Sequence, residues 1–216
     1  MTRHHIDHDL LVDYGTGSLP EALALVAATH LACCTQCRKE VADIEDVGGA
    51  LLAGTDEAPV SANAFAAILD RLDVTEEPVA PPPLDAISRK VMPGPLARHV
   101  KRNLKDLRWR RIGPRIEEAV LATTTPGLKT ALLRIGAGAA IPVHTHGGRE
   151  WTLVLQGGIL DSGNEYRRGD VIAKGEDDEH QPVAASDEDC ICLAVLDAPV
   201  RLTGRFGRLL NPFIRH

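Results

Sequence analysis

Residues 30–37 read HLACCTQC and place one histidine and two cysteines at His-x3-Cys-x2-Cys spacing. A structural zinc ion takes four nitrogen or sulfur ligands in a tetrahedron, and a helix end followed by a Cys-x2-Cys turn brings three of them together. The three candidate ligands are His30, Cys34 and Cys37. The fourth must come from another part of the chain, and His4 and His5 form a pair at its start.

The sequence around this motif predicts helices over residues 9–72. Pro20 suits the first turn of a helix that runs to His30, and a second helix is expected from about Thr35 to Leu52. Cys37 then lies one turn into that helix, so Cys34 and Cys37 point to one spot. Cys33 faces elsewhere, and we interpret it as a small buried apolar residue and not as a ligand.

A third amphipathic helix is predicted after Ser61, a fair N-cap. Its apolar positions are Phe65, Ile68, Leu69 and Leu72. A helical unit of about seventy residues has a thin core, so a structural zinc would help to hold its helices together.

The clearest boundary is residues 76–83, EEPVAPPP, because consecutive prolines forbid a helix and favour an extended spacer. After it come short apolar or alternating runs separated by glycines, which predict an antiparallel sandwich or small barrel. We therefore expect a multidomain α + β protein: a helical domain at 1–75, a linker at 76–96 and a β domain at 97–216. The apolar residues Phe206, Leu209, Leu210, Phe213 and Ile214 are expected to pack back on the β domain, or to serve as an interface.

A second metal signature lies in this β domain. The pattern Gly138-x5-His144-x-His146-x3-Glu150-x6-Gly157 fits the first motif of the cupin family at every position. His144 and His146 alternate on one strand and can face the interior together, and Glu150 is expected to return from the neighbouring strand. The second cupin motif is weaker: Gly169-Asp170 and His180 match, whereas Gly175, Asp177 and Ala184 depart from it.

The expected cupin ligand set is therefore His144, His146, Glu150 and His180. Imidazole and carboxylate ligands suit zinc, iron, manganese, nickel or copper, so the residue types leave the metal open, with zinc preferred here. Cys190 and Cys192 alternate on one strand and can point towards this site. They either fill the core or act as oxidisable thiols near the metal.

Composition narrows the function classes. The 216 residues carry a formal net charge of -6, which argues against binding nucleic acid through its phosphates. The polar N-terminus lacks the apolar core of a signal peptide, and no segment is apolar enough to span a membrane. These features predict a cytoplasmic protein, in which five cysteines serve as metal ligands or thiols in preference to disulfides.

The N-terminal motif resembles that of zinc-binding anti-sigma domains, in which an upstream histidine joins His-x3-Cys-x2-Cys. The resemblance implies His30, Cys34 and Cys37 as ligands together with His4 or His5; the register of Leu10 and Leu11 favours His5, and His8 remains open. It also implies that the helical domain binds an extracytoplasmic-function-type sigma factor and blocks its contact with core RNA polymerase. Phe65, Ile68 and Leu69 would then be candidate sigma contacts, unless they pack within their own domain.

The order of zinc domain, proline-rich joint and cupin resembles the ChrR family of anti-sigma factors over essentially the whole chain. Membership would imply a 1:1 complex with a sigma factor, in which the zinc domain inhibits the sigma factor. The cupin domain would respond to singlet oxygen or an organic hydroperoxide, through Cys190, Cys192 or a metal ligand, and release the sigma factor. The alternative is a metal-dependent cupin enzyme of the dioxygenase or isomerase type, which uses the same ligand shell.

Overall fold

The computed structural model describes residues 2–72, 83–204 and 211. Helices occupy the first part of the chain, namely α1 His8–Gly15, α2 Glu21–Leu31, α3 Thr35–Ala53, α4 Ala64–Leu72, α5 Ala86–Val91 and α6 Gly94–Val100, followed by a 3₁₀ turn at Leu104–Asp106. The strands are β1 Arg110–Gly113, β2 Ile116–Leu121, β3 Lys129–Ile135, β4 His144–His146, β5 Glu150–Gln156, β6 Gly158–Asp161, β7 Asn164–Arg167, β8 Val171–Lys174, β9 Val183–Ala184, β10 Cys190–Leu196 and β11 Val200–Leu202. Among the described residues, no helix is both long and apolar enough to cross a membrane.

Helices α2 and α3 begin and end close to where the sequence predicts. Pro20 precedes α2, and the backbone N–H groups of Cys33 and Cys34 both donate to the carbonyl of His30 at its end. Cys34 is the N-cap of α3, and its Sγ accepts a hydrogen bond from the N–H of Cys37 at 3.5 Å. The Cys-x2-Cys turn is therefore also the start of a helix, and this fixes the two sulfur atoms on one side.

The predicted linker at 76–96 is partly wrong. Residues 84–96 form α5 and the start of α6, and four of their apolar side chains are buried in the core: Leu84, Val91, Met92 and Leu96. Asp85 caps α5 by accepting from the N–H of Ser88. The extended spacer expected from the prolines, and the five apolar residues near the C-terminus, lie largely outside the described residues.

In the described part of the chain the strands form three sheets, and their hydrogen bonds do not close the expected barrel. The largest sheet has the order β1-β2-β3-β10-β5-β8, a second has β7-β6-β9, and β11 pairs with β4. The strand that carries Glu150 belongs to the large sheet. It does not pair with β4, so the expectation that Glu150 returns on the strand neighbouring His144 and His146 is wrong. The short turn at Gly147 and Gly148 leads from one sheet to the other.

The central strands of the six-stranded sheet, β10 and β5, are buried on both faces. Alternate side chains of β10 divide between the two sides, with Cys190 and Cys192 in one cluster and Ile191, Leu193 and Val195 in the other. The first cluster, which we call the inner core, joins this sheet to the β7-β6-β9 sheet. The second, the outer core, joins the sheet to the helices, including Leu25, Val26 and Leu31 of α2. The helices thus cover the back of the β domain.

One buried ion cluster supports the large sheet. Glu118 on β2 is 4% exposed and lies 2.5 Å from Lys129 Nζ and 2.9 Å from an Arg110 guanidinium nitrogen. Burial raises the pKa of Glu118, but the hydrogen bonds and charges of Lys129 and Arg110 outweigh it and hold the pKa below its usual range.

Replacing Lys129 with Met is expected to lower the free energy of unfolding by about 1.5 to 3 kcal/mol at neutral pH, because a buried carboxylate loses a charged donor. Since the folded-state pKa of Glu118 is depressed, its stabilising effect exists above the unfolded-state pKa and disappears as the pH falls through the folded-state value. Urea unfolding at pH 7 and at about pH 3 measures both effects.

The matched control is Lys105→Met, since Lys105 is exposed and lies 3.8 Å from a partly exposed Asp85 carboxylate. This control should change the free energy of unfolding by less than about 0.5 kcal/mol. A deficit in Lys129→Met that is equally large at both pH values would contradict the role given to Glu118.

Two candidate metal centres

The first centre lies where the N-terminal segment meets the ends of α2 and α3. His5, His30, Cys34 and Cys37 each offer one ligand atom, and these atoms lie within 4.8 Å of one another. Cys37 Sγ is 3.3 Å from His30 Nε2 and 3.4 Å from His5 Nδ1, and Cys34 Sγ is 3.3 Å from His5 Nδ1. Cys37 and His30 are fully buried.

The structure separates the three N-terminal histidines. His5 joins the cluster, whereas the ring of His4 packs against Tyr166 with centroids 4.3 Å apart. His8 is mostly exposed and pairs with Glu40 on α3. Cys33 is half-buried beside Gly169, and burial raises the pKa of its thiol. The position of His5 agrees with the choice that the Leu10–Leu11 register favoured.

The chemistry of these four side chains fits a thiophilic cation. His30 Nδ1 lies 2.8 Å from the carbonyl oxygen of Gly169, so this nitrogen carries the proton and Nε2 presents a lone pair to Cys37. Burial lowers the pKa of His30, which keeps the ring neutral. Burial and the neighbouring Cys34 raise the pKa of the Cys37 thiol to about 12. For Cys34, burial raises the pKa, but hydrogen bonds from Cys37 and Thr2 outweigh it, and the pKa is lowered. The pair can therefore form two adjacent thiolates only if a cation neutralises them, as zinc does.

The second centre lies inside the β domain. Nε2 of His180 is 3.0 Å from Nε2 of His144 and 3.0 Å from Nε2 of His146. Glu150 Oε2 lies 3.3 Å from His146 Nδ1, and all four ligand atoms lie within 4.8 Å of one another. The three histidines are buried and Glu150 is half-buried. His144 and His146 share one face of β4, as the sequence predicts.

This arrangement also calls for a cation. His144 Nδ1 donates to the carbonyl of Pro142 at 2.8 Å, and His180 Nδ1 donates to Asp161 at 3.0 Å. Their Nε2 atoms are then unprotonated, so two lone pairs face each other at 3.0 Å. Burial lowers the pKa of His144 and of His146, which disfavours relief by protonation. Nδ1 of His146 is buried and makes no hydrogen bond to the described residues, since the Glu150 carboxylate at 3.3 Å lacks hydrogen-bond geometry. A bound divalent cation removes the repulsion.

Asp161 contacts the second candidate centre and was not among the residues predicted from the sequence. It lies at the end of β6, is 3% exposed, and accepts from His180 Nδ1 and from Lys174 Nζ, both at 3.0 Å. Burial raises its pKa, but the hydrogen bonds from His180 and Lys174 outweigh this and lower the pKa to about 2. Its carboxylate thus orients His180 as an outer-shell partner. In the sequence it stands in the turn-like stretch LDSGN, which gives no sign of this role.

Cys190 and Cys192 point into the inner core and are fully buried. The neighbouring Cys190, burial and the charge of Glu150 all raise the pKa of Cys192. The low-pKa thiol considered from the sequence is therefore wrong for Cys192.

The third set of candidate residues belongs to neither centre. Phe65, Ile68 and Leu69 are on α4, which has no buried residue, and Phe65 is 72% exposed. The expectation that they might pack within their own domain is therefore wrong. Further exposed apolar side chains lie near the end of α3. We call this set the α3–α4 apolar surface: Val47, Leu51, Leu52, Phe65, Ile68, Leu69 and Leu72.

Comparisons with known proteins agree on one family. Residues 97–199 match the family described as the ChrR Cupin-like domain. The chain is 39% identical over 216 residues to the anti-sigma-E factor ChrR of Cereibacter sphaeroides, covering 99% of this chain and 98% of the relative. The crystal structure of Rhodobacter sphaeroides SigE in complex with the anti-sigma ChrR aligns with a TM-score of 0.79 and 38% identity, covering 91% of this chain and 100% of the matched chain. The helices followed by a cupin-like β domain therefore belong to a member of the ChrR family of anti-sigma factors.

Proposed function

We propose that the protein binds and inhibits an extracytoplasmic-function-type sigma factor as a 1:1 complex in the cytoplasm. The helical domain, residues 1–75, holds the sigma factor, and the cupin domain, residues 97–216, controls its release. The observation that carries the proposal is the likeness over almost the whole chain to a relative solved in complex with SigE. This relative is an anti-sigma factor, which disfavours the alternative of a cupin enzyme.

The α3–α4 apolar surface supports the placement of the sigma-binding site. Seven large apolar side chains, including Phe65 and Leu72, are exposed on two successive helices. Large apolar side chains clustered along exposed helices are typical of an interaction site. The apolar face of an amphipathic helix can lie in a groove of a partner through residues spaced three or four apart. Phe65, Ile68 and Leu69 have that spacing.

The proposed function includes two bound zinc ions, one in each domain. His5, His30, Cys34 and Cys37 would hold the first, a structural zinc that ties the N-terminal segment to α2 and α3. His144, His146, Glu150 and His180 would hold the second, for which zinc or another divalent transition metal is compatible with the ligands. The two centres lie on opposite sides of the six-stranded sheet, since the first belongs to the helical side and the second to the inner side.

The cupin domain would sense an oxidant such as singlet oxygen or an organic hydroperoxide. Its inner core concentrates oxidisable groups, namely three imidazole rings and the Cys190 and Cys192 thiols, around one metal centre. Oxidation of a thiol adds polar atoms or a new bond to a closely packed region. The large sheet would then shift against the helices that cover its other face, and the sigma factor would be released.

Replacing Phe65 with Ala should weaken sigma binding by about 10- to 100-fold, because a central aromatic contact is worth roughly 2 kcal/mol or more in an interface. The measurement titrates the full chain into the cognate sigma factor and follows the loss of sigma binding to core RNA polymerase. Ile87→Ala is the matched control, since Ile87 is 69% exposed on α5, outside the α3–α4 apolar surface. Equal inhibition by the Phe65→Ala variant and the unmodified chain would remove this surface from the proposal.

A further inference from the structure

The turn between β7 and β8, residues Arg167–Asp170, reaches out of the cupin domain and contacts the first metal centre. The carbonyl oxygen of Gly169 accepts the hydrogen bond from His30 Nδ1 at 2.8 Å, across 139 positions of sequence. A histidine that binds a metal through one nitrogen commonly donates its other N–H to such an acceptor, which fixes the tautomer and the ring orientation. Here the acceptor belongs to a different domain from the ligands.

The same turn also positions the N-terminal segment. Asp170 is 2% exposed, and its Oδ1 accepts from the backbone N–H groups of Arg3 at 2.6 Å and His4 at 3.0 Å. The N–H of Val171 donates to the carbonyl of His4 at 3.1 Å. His5 follows immediately in the chain, so the cupin domain determines where this ligand stands.

Gly169 allows the close approach. Its φ of 94° lies in the left-handed region, and an added Cβ would stand 3.2 Å from Thr2 Cγ2 and 3.3 Å from Cys33 Cβ. The turn is itself anchored to β5: the N–H of Gly169 donates to the carbonyl of Val154, and the N–H of Val154 donates to the carbonyl of Asp170. β5 begins at Glu150, a member of the second centre. One short strand therefore connects the two centres.

We propose that the Arg167–Asp170 turn is the outer shell of the first metal centre, so that the cupin domain determines how firmly the helical domain holds its metal. Asp170 acts as a positioning residue for His5, and the Gly169 carbonyl acts as the acceptor for His30. The inference rests on the proposed metal site of the helical domain and adds a route between the two domains: a displacement of β5 moves the acceptor away from His30 and loosens the metal.

The test uses cobalt(II), which gives a thiolate-to-metal charge-transfer band only where cysteine is a ligand. In the full chain this band reports Cys34 and Cys37 and is silent for the second centre, whose four proposed ligands include no cysteine. The Asp170→Asn variant replaces one accepting oxygen with an N–H donor that faces a backbone N–H. We expect its cobalt affinity at the first centre to fall about 10- to 100-fold.

Asp187→Asn is the matched control, since it removes one negative charge from an exposed residue that pairs with the Arg167 guanidinium at 2.8 Å and does not contact the N-terminal segment. Its cobalt affinity should equal that of the unmodified chain. Thermal unfolding checks that each variant is folded. Gly169→Ala provides a second, steric version of the test if Asp170→Asn does not fold.

The outcomes separate the two proposals. An unchanged charge-transfer titration in a folded Asp170→Asn or Gly169→Ala variant would overturn the outer-shell role of the turn and leave the metal site standing. Absence of the thiolate band in the unmodified chain would instead refute the metal site itself. A weaker titration in Asp170→Asn, with Asp187→Asn unchanged, is the result that supports the inference.

Discussion

The Cys37→Ser variant is expected to lose the metal proposed for the helical domain and, with it, more than about 100-fold in affinity for the sigma factor. Cys37 Sγ is fully buried between His30 and His5, at 3.3 Å and 3.4 Å from their ring nitrogens. A serine hydroxyl is a poorer zinc ligand than a thiolate and is shorter, so it cannot hold these elements together. Without the metal, the N-terminal segment and the ends of α2 and α3 lose their common anchor.

The comparison is with Cys33→Ser, a change of the same kind four residues earlier at a half-buried position outside the cluster. Metal content by elemental analysis and sigma affinity by calorimetry measure both variants. We expect Cys33→Ser to keep the metal and its affinity. If Cys37→Ser bound the sigma factor as tightly as the unmodified chain, the first centre would have no part in inhibition.

The His180→Ala variant should abolish the response to oxidant while leaving inhibition in its absence intact. His180 Nε2 lies 3.0 Å from both other imidazole nitrogens, so its removal takes away the middle of the second centre and the hydrogen bond to Asp161. The loss of an inner ligand is confined to the side of the sheet that faces away from the helices. A sigma-dependent reporter, measured with and without an illuminated photosensitiser, gives both values.

His99→Ala is the control for a histidine outside both centres, since His99 bonds to the carbonyl of Ala122 and approaches Glu21 at 4.0 Å. Its reporter should respond normally. Two results would contradict the separate roles proposed for the two domains. In the first, the reporter of the His180→Ala variant still responds fully to oxidant. In the second, its reporter is already high without oxidant.

Local sequence patterns were enough to predict which side chains cluster at the two candidate centres, and most elements. The spacing of His30, Cys34 and Cys37 spans a single turn between helices, and His144 and His146 share one short strand. Such relations are fixed by helix and strand periodicity, which a sequence shows directly. The preference for His5 over His4 rested on the register of Leu10 and Leu11, which lie five and six residues further along the chain. The structure places His5 in the cluster.

Contacts between distant segments could not be predicted in the same way. Asp161 meets His180 across 19 positions, and Gly169 meets His30 across 139, through tertiary folding alone. The helices at 84–96 were hidden by the prolines before them. The docking of the helices on the sheet did leave a signal: β10 reads CICLAVL, apolar at every position, which is typical of a strand buried on both faces.

The two-sided burial of β10 has a consequence for how this chain can vary in evolution. Positions 190, 192 and 194 face the inner core, whereas 191, 193 and 195 face the helices. Under the proposed function, a change of stimulus would involve the first series, and packing against the helical domain constrains the second. Because side chains on a strand alternate strictly, adjacent positions of β10 pack in different cores and are under different structural constraints. Under the proposed function, substitutions at positions 190, 192 and 194 can therefore change the response to a stimulus without changing the side chains that pack against the helices.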